Sequence, residues 1–249
     1  MNAMLQRRAR QAVKLVKLLR RAEWRRALRF GVGASIEHEA VMARLRPATV
    51  VDVGANVGQF SALIAALHPE ARLVAFEPMP DAAATWRRVF DGRSNAVLHT
   101  VAIGTTKGEA TLHVSARADS SSLLPIGEGQ RTVFPGTEEA GTMRIEVAPL
   151  DAFLSAAEIS RPALLKIDVQ GYELEVLRGA ESLLRCFDYV YVEASFMTLY
   201  EGQPLFDEVA AFLAARGFRE EGRYNLSVDA EGRPVQADFL FARDGAAAG

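Results

Sequence analysis

The sequence predicts an α/β fold in which helices cover both faces of a mostly parallel sheet. From residue 49 onward, short apolar runs alternate with segments whose apolar residues recur at helical spacing, which is the pattern of repeated strand and helix units. A glycine turn joins the first apolar run to the first of these helices. No internal repeat and no linker divides this part of the chain. With 249 residues, of which 49% are hydrophobic, the chain can bury the core of one such domain.

The first strand and the turn after it lie within residues 51–60, V-D-V-G-A-N-V-G-Q-F. Gly54 can take the positive φ that a sharp strand-to-helix turn needs, and Asn56 tolerates it better than most side chains. Gly58 lets a ligand approach the first helical turn closely. The nicotinamide fingerprint G-x-G-x-x-G would need glycine where this chain has Asn56 and Gln59. We therefore interpret D-x-G-x-N-x-G as a loop for S-adenosyl-L-methionine.

A carboxylate follows the second strand at the position where a nucleoside ribose is bound in doubly wound folds. The apolar run 72–76 ends at Glu77 and Pro78, and Glu77 lies about 20 residues past the glycine turn, where such folds place an acid. A carboxylate can accept two hydrogen bonds from a cis-diol, and proline stops the strand so that the acid projects from its end. The alternative is that Glu77 only caps the helix that starts near Asp81.

The rest of the chain continues the alternation and ends in a hairpin. Residues 115–142 are rich in Gly, Ser, Pro and Thr and are predicted to form a long loop, which in a compact domain is usually functional or mobile. The runs 218–226 and 235–242 flank a turn and predict an antiparallel hairpin that closes the sheet. The other predicted strands are 49–53, 72–76, 96–102, 110–114, 143–147, 163–167 and 188–194, and the predicted helices are 36–45, 58–67, 81–90, 150–157, 173–184 and 205–216.

A basic arm, residues 1–30, precedes an acidic body. The arm holds ten of the 29 Lys and Arg residues and one acid, Glu23, so the remainder holds 19 basic and 30 acidic residues. Its apolar spacing predicts an amphipathic helix. Three interpretations stay open: the arm lies on an anionic membrane surface, contacts nucleic acid, or packs on the acidic body or on a second copy in a homodimer. The apolar residues at helical spacing in the arm are Leu5, Ala9, Ala12, Val16 and Leu19.

Cysteine usage and hydropathy predict a cytoplasmic protein. A single cysteine, Cys186, excludes an intramolecular disulfide and suits a reducing compartment. The chain contains no run of 18 apolar residues, so we expect no spanning helix, and the arginine-rich N-terminus lacks the apolar core of a signal peptide.

Taken together with these features, several short motifs resemble the FkbM family of S-adenosylmethionine-dependent methyltransferases. The most specific of them is K-I-D-V-Q-G-Y-E at residues 166–173. The resemblance covers roughly residues 30–242 and leaves out the arm, so the expected division is an arm at 1–30 and a methyltransferase domain at 31–249. The other matching stretches are I-E-H-E at 36–39, the glycine turn at 51–60, A-F-E-P at 75–78, A-I-G at 102–104, S-S-S-L at 120–123 and V-E-A-S-F at 192–196.

The resemblance implies a class I methyltransferase fold, which is Rossmann-like, with a seven-stranded sheet in the order 3-2-1-4-5-7-6. It also implies a small-molecule or glycan acceptor whose hydroxyl is methylated, on a saccharide or another natural product. Two rival functions stay open: an RNA methyltransferase that uses the basic arm, and a non-catalytic interaction protein with the same fold. No nucleic acid partner is expected, because the body is acidic and shows no basic stripe with interleaved aromatic residues.

The cofactor site is predicted from the glycine turn, the strand ends and the serine cluster of the long loop. Asp52 is expected to anchor the turn, and Glu77 to bind the ribose. The predicted cofactor-binding residues are Asp52, Gly54, Ala55, Asn56, Gly58, Phe60, Glu77, Pro78, Ala102, Ser121 and Asp168.

Asp168, His38 and Glu193 are the candidate catalytic residues. Methyl transfer is an in-line displacement in which alignment matters most, and a base near the acceptor would help because an aliphatic hydroxyl is a poor nucleophile. Asp168 ends a predicted strand at the sheet edge where such folds bind ligands; alternatively it orients the cofactor or the next turn. His38 is a second candidate base, or an ordinary structural histidine.

Lys166 lies inside an apolar strand and needs an anionic partner, for which Asp168 and Glu193 are candidates. Glu193 either pairs with Lys166 or shapes the acceptor pocket. No transition-metal site built from protein ligands is predicted, because no suitable His and carboxylate spacing occurs. A hard cation held by Asp168 and substrate oxygens stays open.

Overall fold

The computed structural model describes residues 17–245. Within these residues, ten strands and seven α-helices form one main sheet, a smaller sheet and the helical layers around them. The strands are β1 (Thr49–Val53), β2 (Arg72–Phe76), β3 (Ala96–His99), β4 (Ala102–Ile103), β5 (Gly108–Ser115), β6 (Glu139–Ala148), β7 (Ala163–Ile167), β8 (Tyr189–Ser195), β9 (Phe218–Val228) and β10 (Pro234–Arg243). The helices are α1 (Ala22–Arg29), α2 (Glu39–Leu45), α3 (Gln59–Leu67), α4 (Pro80–Phe90), α5 (Glu128–Val133), α6 (Glu173–Gly179) and α7 (Phe206–Ala214).

The main sheet has the order β3-β2-β1-β7-β8-β10-β9. Numbered along the chain within this sheet, that is 3-2-1-4-5-7-6, so the predicted topology is confirmed. All pairs from β3 to β8 are parallel, and β10 is antiparallel to both neighbours. The strand order reverses between β1 and β7, and a crevice for ligands forms at such a point, beyond the carboxyl ends of the strands.

Helices cover both faces of the sheet, as predicted. One apolar core lies between the sheet and the helices α6 and α7. A second core lies between the opposite face and the helices α1 to α4. Strands β1 and β7 are fully buried, which explains why seven of their ten residues are Val, Leu, Ile or Ala.

The predicted strand 96–102 is wrong in its extent. Strand β3 ends at His99, and β4 instead pairs with β6 in a separate three-stranded sheet of order β4-β6-β5. The reason is packing: Val101 and Ile103 are buried in the core on the α6 side, so the chain leaves the sheet edge after His99. This second sheet was not predicted.

The predicted long loop 115–142 is also wrong in part. It contains a 3₁₀ turn (Ala118–Ser120), the helix α5 and the start of β6. Gly127, the residue before this helix, packs closely against the backbone of Leu199. A Cβ added to Gly127 would lie 2.5 Å from the Leu199 carbonyl oxygen. Glycine is therefore needed here for close approach to a neighbouring backbone and does not mark a flexible segment.

Two predicted helices are shorter than expected. The segment 150–157 forms two 3₁₀ turns (Leu150–Ala152 and Ala156–Glu158), because Ser155 and Glu158 make a capping box that starts a new turn. The segment 173–184 is α-helical only to Gly179 and continues as a 3₁₀ helix (Glu181–Cys186). None of the helices within residues 17–245 combines the length and apolar composition needed to cross a bilayer.

The second half of the predicted arm packs on the body. In α1, Trp24 and Ala27 are buried in the same core as α2, α3 and α4. Arg21 Nη1 donates a hydrogen bond to the Ala66 carbonyl at 3.0 Å, and Arg26 donates one to the Asp91 carbonyl. Most of the predicted amphipathic pattern lies at residues 1–16, outside the described residues, and the division of the chain at residue 30 stays a prediction.

Candidate active site

A cavity of about 440 Å³ lies at the carboxyl ends of the parallel strands. On one side it is lined by the loops after β1 and β2 and by residues 101–103. On the other side it is lined by the ends of β7 and β8, by the β9–β10 hairpin and by Ser35, Glu37 and His38. Residues 117–123 also line it. The cavity therefore has two halves, which we call the turn side and the hairpin side.

The turn side is built on the glycine turn, whose backbone takes the left-handed conformation that the sequence predicts. The φ angles are +80° at Gly54, +48° at Asn56 and +100° at Gly58. A Cβ on Gly54 would lie 1.8 Å from the Asp168 carbonyl oxygen, so only glycine allows β1 and β7 to end this close together. Gly58 does not line the cavity; it packs beneath it, where a Cβ would lie 2.9 Å from the Trp86 ring.

Glu77 ties the two loops of the turn side together. Its Oε2 accepts a hydrogen bond from the Asn56 backbone N–H and its Oε1 accepts one from that of Met79, both at 2.8 Å. Burial raises the pKa of Glu77 to about 7, although these two hydrogen bonds favour the ionised form. Met79 is the residue before α4, so Glu77 does support the start of that helix. It also lines the cavity, and each carboxylate oxygen retains lone pairs for a ligand.

Asp52 lies below the cavity and does not line it. Its side chain is fully buried, and Oδ2 accepts a 2.7 Å hydrogen bond from Ser61 Oγ in α3. Oδ1 lies 3.7 Å from Lys166 Nζ. Burial raises the pKa of Asp52, and the Lys166 ammonium opposes that effect. Asp52 is thus placed to hold β1, α3 and β7 together under the turn.

Lys166 is the buried cation of the site, and its closest anionic partner is Asp168. Lys166 Nζ lies 3.2 Å from Asp168 Oδ2 and 5.5 Å from the centroid of the Phe60 ring. Burial by itself would lower the pKa of Lys166, but Asp168 and Asp52 raise it above its ordinary value. For Asp168, burial acts to raise the pKa, while Lys166 and a hydrogen bond from Gln170 outweigh it and hold the pKa below the usual range. Asp168 is therefore ionised at neutral pH.

The Gln170 side chain joins Asp168 to Glu193. Its Nε2 donates to Asp168 Oδ1 at 2.8 Å and to Glu193 Oε2 at 3.0 Å. Glu193 Oε1 accepts a further hydrogen bond from Gln236 Nε2 at 2.9 Å. Burial, followed by the charges of Asp168 and Asp238, raises the pKa of Glu193 well above its ordinary value. Glu193 is therefore held by the amides of Gln170 and Gln236. It does not pair with Lys166, whose closest anionic partner is Asp168.

The long segment over the cavity is fixed to the same network. Tyr200 Oη lies 3.0 Å from Gln170 Oε1 and 3.0 Å from the Ser120 carbonyl oxygen, and its hydroxyl can donate to either. Ser122 Oγ donates to the Gln170 carbonyl at 2.6 Å. Ser121 lines the cavity, and its Oγ accepts a hydrogen bond from the Ser115 N–H at 3.1 Å.

His38 lies on the hairpin side, in contact with β8 and the hairpin. Its Nδ1 is 3.0 Å from Tyr191 Oη, 3.0 Å from Asn225 Nδ2 and 3.6 Å from Asp238 Oδ2. Asn225 Nδ2 also donates to Asp238 Oδ2 at 2.8 Å. Burial raises the pKa of Asp238 to about 6, although the hydrogen bond from Asn225 lowers it.

Most of the residues predicted for the site meet at this cavity, and several others were missed. Sequence reasoning did not identify a role for Asn225, Gln236 or Asp238, although an aspartate within the apolar run V-Q-A-D-F-L-F was a usable signal. In the part of the chain that the structure describes, no group of three or more His, Cys, Asp or Glu residues is arranged to hold a metal ion. The predicted residues that line the cavity are His38, Gly54, Ala55, Asn56, Phe60, Glu77, Pro78, Ala102, Ser121, Asp168 and Glu193.

Comparison with known proteins identifies similar sequences with assigned activities. The model of the family described as Methyltransferase FkbM domain matches residues 52–220. The chain is 30% identical over 179 residues to 2-O-methyltransferase NoeI of Sinorhizobium fredii, covering 66% of this chain and 74% of the relative. It is 30% identical over 204 residues to 31-O-demethyl-FK506 methyltransferase FkbM of Streptomyces tacrolimicus, covering 70% and 74%. It is 29% identical over 146 residues to hexuronic acid methyltransferase AglP of Haloferax volcanii, covering 57% of this chain and 54% of that protein.

Proposed function

Because the chain belongs to the FkbM family of methyltransferases, we propose that it methylates a hydroxyl group of a saccharide or a glycosylated natural product. The cofactor of this methyl transfer is S-adenosyl-L-methionine. Names of three relatives specify a 2-O-methyltransferase, a hexuronic acid methyltransferase and a 31-O-demethyl-FK506 methyltransferase. The observation that carries the proposal is the hairpin side of the cavity, where carboxylates and amides suited to binding hydroxyl groups lie beside the turn side.

The turn side fits the cofactor in shape and chemistry. Gly54 and Asn56 keep the backbone of the turn in the left-handed region and expose it to the cavity. Glu77 ends β2 at the cavity edge with acceptor oxygens for a ribose diol. Val101 and Ile103 add apolar surface that suits an adenine ring. We assign cofactor binding to these residues, with Asp52 supporting the turn from below.

S-adenosyl-L-methionine, when bound, supplies a methyl group that is activated by its attachment to a sulfonium. The residues of the hairpin side then have two tasks, which are to orient the acceptor hydroxyl and to take its proton. Asp168 is suited to the second task, since it is ionised and both of its oxygens have lone pairs beyond those used by Lys166 and Gln170. A base with a low pKa does not deprotonate an alcohol in advance, so the proton moves to Asp168 as the new bond forms.

Glu193, Gln236 and Asp238 are suited to the first task. Amide and carboxylate groups held by one another present fixed donors and acceptors to the several hydroxyls of a sugar ring, and fixed geometry is what an in-line transfer requires. His38 lies on the same wall and is an alternative base.

The decisive experiment is methyl transfer from isotope-labelled S-adenosyl-L-methionine to a panel of methyl glycosides, amino sugars, uronic acids and glycosylated metabolites, with the methylated atom of each product located by mass spectrometry. We expect label on a sugar oxygen. Label on a nitrogen or on a carboxylate oxygen would contradict the proposal. So would binding of the cofactor, measured by calorimetry, with no transfer to any glycoside or glycosylated metabolite in the panel.

A further inference from the structure

One side of helix α1 faces away from the body of the protein. Trp24 and Ala27 point into the core, whereas the residues at positions 22, 25 and 29 are exposed, which is the spacing of one helical face. Arg25 Nη1 donates a hydrogen bond to the Leu19 carbonyl at 2.9 Å, so this face continues onto the segment before the helix. The exposed residues between positions 17 and 30 are residues 17, 19, 20, 22, 25, 29 and 30.

This surface is basic. Its exposed residues include four cations, and we call the set the basic face: Lys17, Arg20, Arg25 and Arg29, with Leu19 and Phe30. Among residues 17–245, none of these four cations forms an ion pair with a carboxylate. The arginines of the β9–β10 hairpin differ in this respect, because Arg219, Arg223 and Arg233 each pair with a neighbouring acid.

The basic face also exposes two large apolar side chains. Leu19 is 51% exposed and Phe30 is 39% exposed, and they lie at the two ends of the segment. Isolated exposed apolar residues are ordinary, but leucine and phenylalanine among lysine and arginine are typical of helices that lie in the interface of an anionic membrane. The phosphate backbone of a nucleic acid would pair with the arginines and leave Leu19 and Phe30 without an apolar environment.

We propose that the basic face docks the protein peripherally on a membrane rich in anionic phospholipids. The headgroup phosphates pair with the four cations, and Leu19 and Phe30 enter the boundary between headgroups and acyl chains. Each basic residue near such a surface strengthens partitioning roughly fivefold. The acidic body is repelled by the same lipids, so the contact is restricted to this face. The inference does not depend on the identity of the methyl acceptor.

Co-sedimentation of the full chain with vesicles tests the proposal. We expect binding to vesicles of phosphatidylcholine mixed with phosphatidylglycerol, no binding to vesicles of phosphatidylcholine alone, and release at high salt because the contact is screened. The triple variant R20E/R25E/R29E should lower the partition coefficient by more than about 100-fold. The double variant L19S/F30S should lower it about tenfold while leaving the charge unchanged.

The matched control is R88E/K107E/R185E, which changes the net charge equally at three exposed positions outside the basic face. It should retain vesicle binding, and the melting temperature of every variant is measured to confirm folding. An equal loss in both triple variants would mean that net charge decides binding and would overturn the proposal. It is also overturned if the protein does not bind phosphatidylglycerol vesicles, or if the basic face instead binds an RNA duplex or a second copy of the chain.

Discussion

At the scale of single residues, the hairpin side of the cavity depends on the orientation of one amide. Gln170 has a φ of +57°, a conformation that costs a non-glycine residue roughly 1 kcal/mol or more and persists only when contacts impose it. Here the contacts are the hydrogen bonds to Asp168, Glu193 and Tyr200. These hydrogen bonds direct the amide nitrogen of Gln170 toward the carboxylates of Asp168 and Glu193, and they thereby fix the distance between the two carboxylates.

The first prediction concerns Asp168. Asp168→Asn preserves the shape of the side chain and removes the base, so kcat should fall by about 10²–10⁴-fold while the affinity for S-adenosyl-L-methionine changes little. Single-turnover methyl transfer at saturating cofactor measures the chemical step, and calorimetry measures the affinity. Asp119→Asn is the matched control, because Asp119 lines the same cavity and is paired with Arg117. A near-wild-type rate for Asp168→Asn would refute its role as the base.

The second prediction concerns Glu77. Glu77→Ala should weaken cofactor binding by about 1.5–3 kcal/mol, the range for hydrogen bonds to a charged group, and Glu77→Gln should weaken it less. Because the pKa of Glu77 is about 7 in the folded protein, cofactor affinity of the natural protein should rise as the pH increases through about 7, where the carboxylate becomes a full acceptor. Calorimetry on either side of this pH checks it. Equal affinities for all three proteins would remove the ribose assignment.

The third prediction concerns the charge of the acceptor. Two cationic side chains, Lys166 and Arg117, line the cavity, but each already pairs with an aspartate. A carboxylate on the acceptor would therefore lose its hydration without gaining an unpaired lysine or arginine as its partner. We expect a neutral methyl glycoside to be methylated with a kcat/KM at least tenfold above that of the matching uronate. The relative named a hexuronic acid methyltransferase provides the comparison enzyme. A preference for the uronate would show that Arg117 leaves Asp119 to bind the acceptor.

At the scale of elements, helix α1 is part of the core that it shares with α2, α3 and α4, although the sequence places it in a basic arm. Trp24 is 2% exposed, and Trp→Ala changes in cores cost about 3–5 kcal/mol. Trp24→Ala, and a chain that begins at Gly31, should therefore have clearly lower melting temperatures than the full chain. Arg25→Ala, an exposed change in the same helix, should be within about 0.5 kcal/mol of the original. If the chain from Gly31 keeps the original melting temperature, α1 does not contribute to the fold.

The elements that could be predicted from sequence are those with a local signal. Strands β1, β2 and β7 are mostly apolar because both of their faces are buried, and the glycine turn is marked by residues that tolerate the φ angles that it needs. Two strands of the second sheet were predicted, at 110–114 and 143–147, but their pairing in a sheet of their own was not. The N-terminal extension of β6 also lacked an apolar signal, since the first six residues of β6 are exposed. The contact of His38 with Asn225 and Asp238 could not be predicted, because it joins residues that are about 190–200 positions apart and depends on the sheet order.

At the scale of the whole molecule, the buried carboxylates make stability depend on pH. Burial raises the pKa of Glu173 to about 7, although backbone hydrogen bonds oppose this shift. Between about pH 4.5 and 7 the unfolded chain releases this proton while the folded protein keeps it, so the free energy of unfolding should fall as the pH rises through that window. Glu173→Gln removes this titration and should make the melting temperature less dependent on pH.

Thermal unfolding at a series of pH values from about 5 to 8 measures this effect. Glu175→Gln, on the same helix, is the control and should keep the pH dependence of the natural protein. An unchanged slope in Glu173→Gln would show that Glu173 ionises with an ordinary pKa.

Under the proposed function, the β9–β10 hairpin carries part of the acceptor specificity. It supplies Asn225, Gln236 and Asp238 to the hairpin side, and it borders the rest of the sheet only through the pairing of β10 with β8. The turn side, by contrast, is formed from chain segments before residue 104. We therefore expect that a chimera that receives the hairpin of another family member will acquire the donor's acceptor preference and keep its own cofactor affinity.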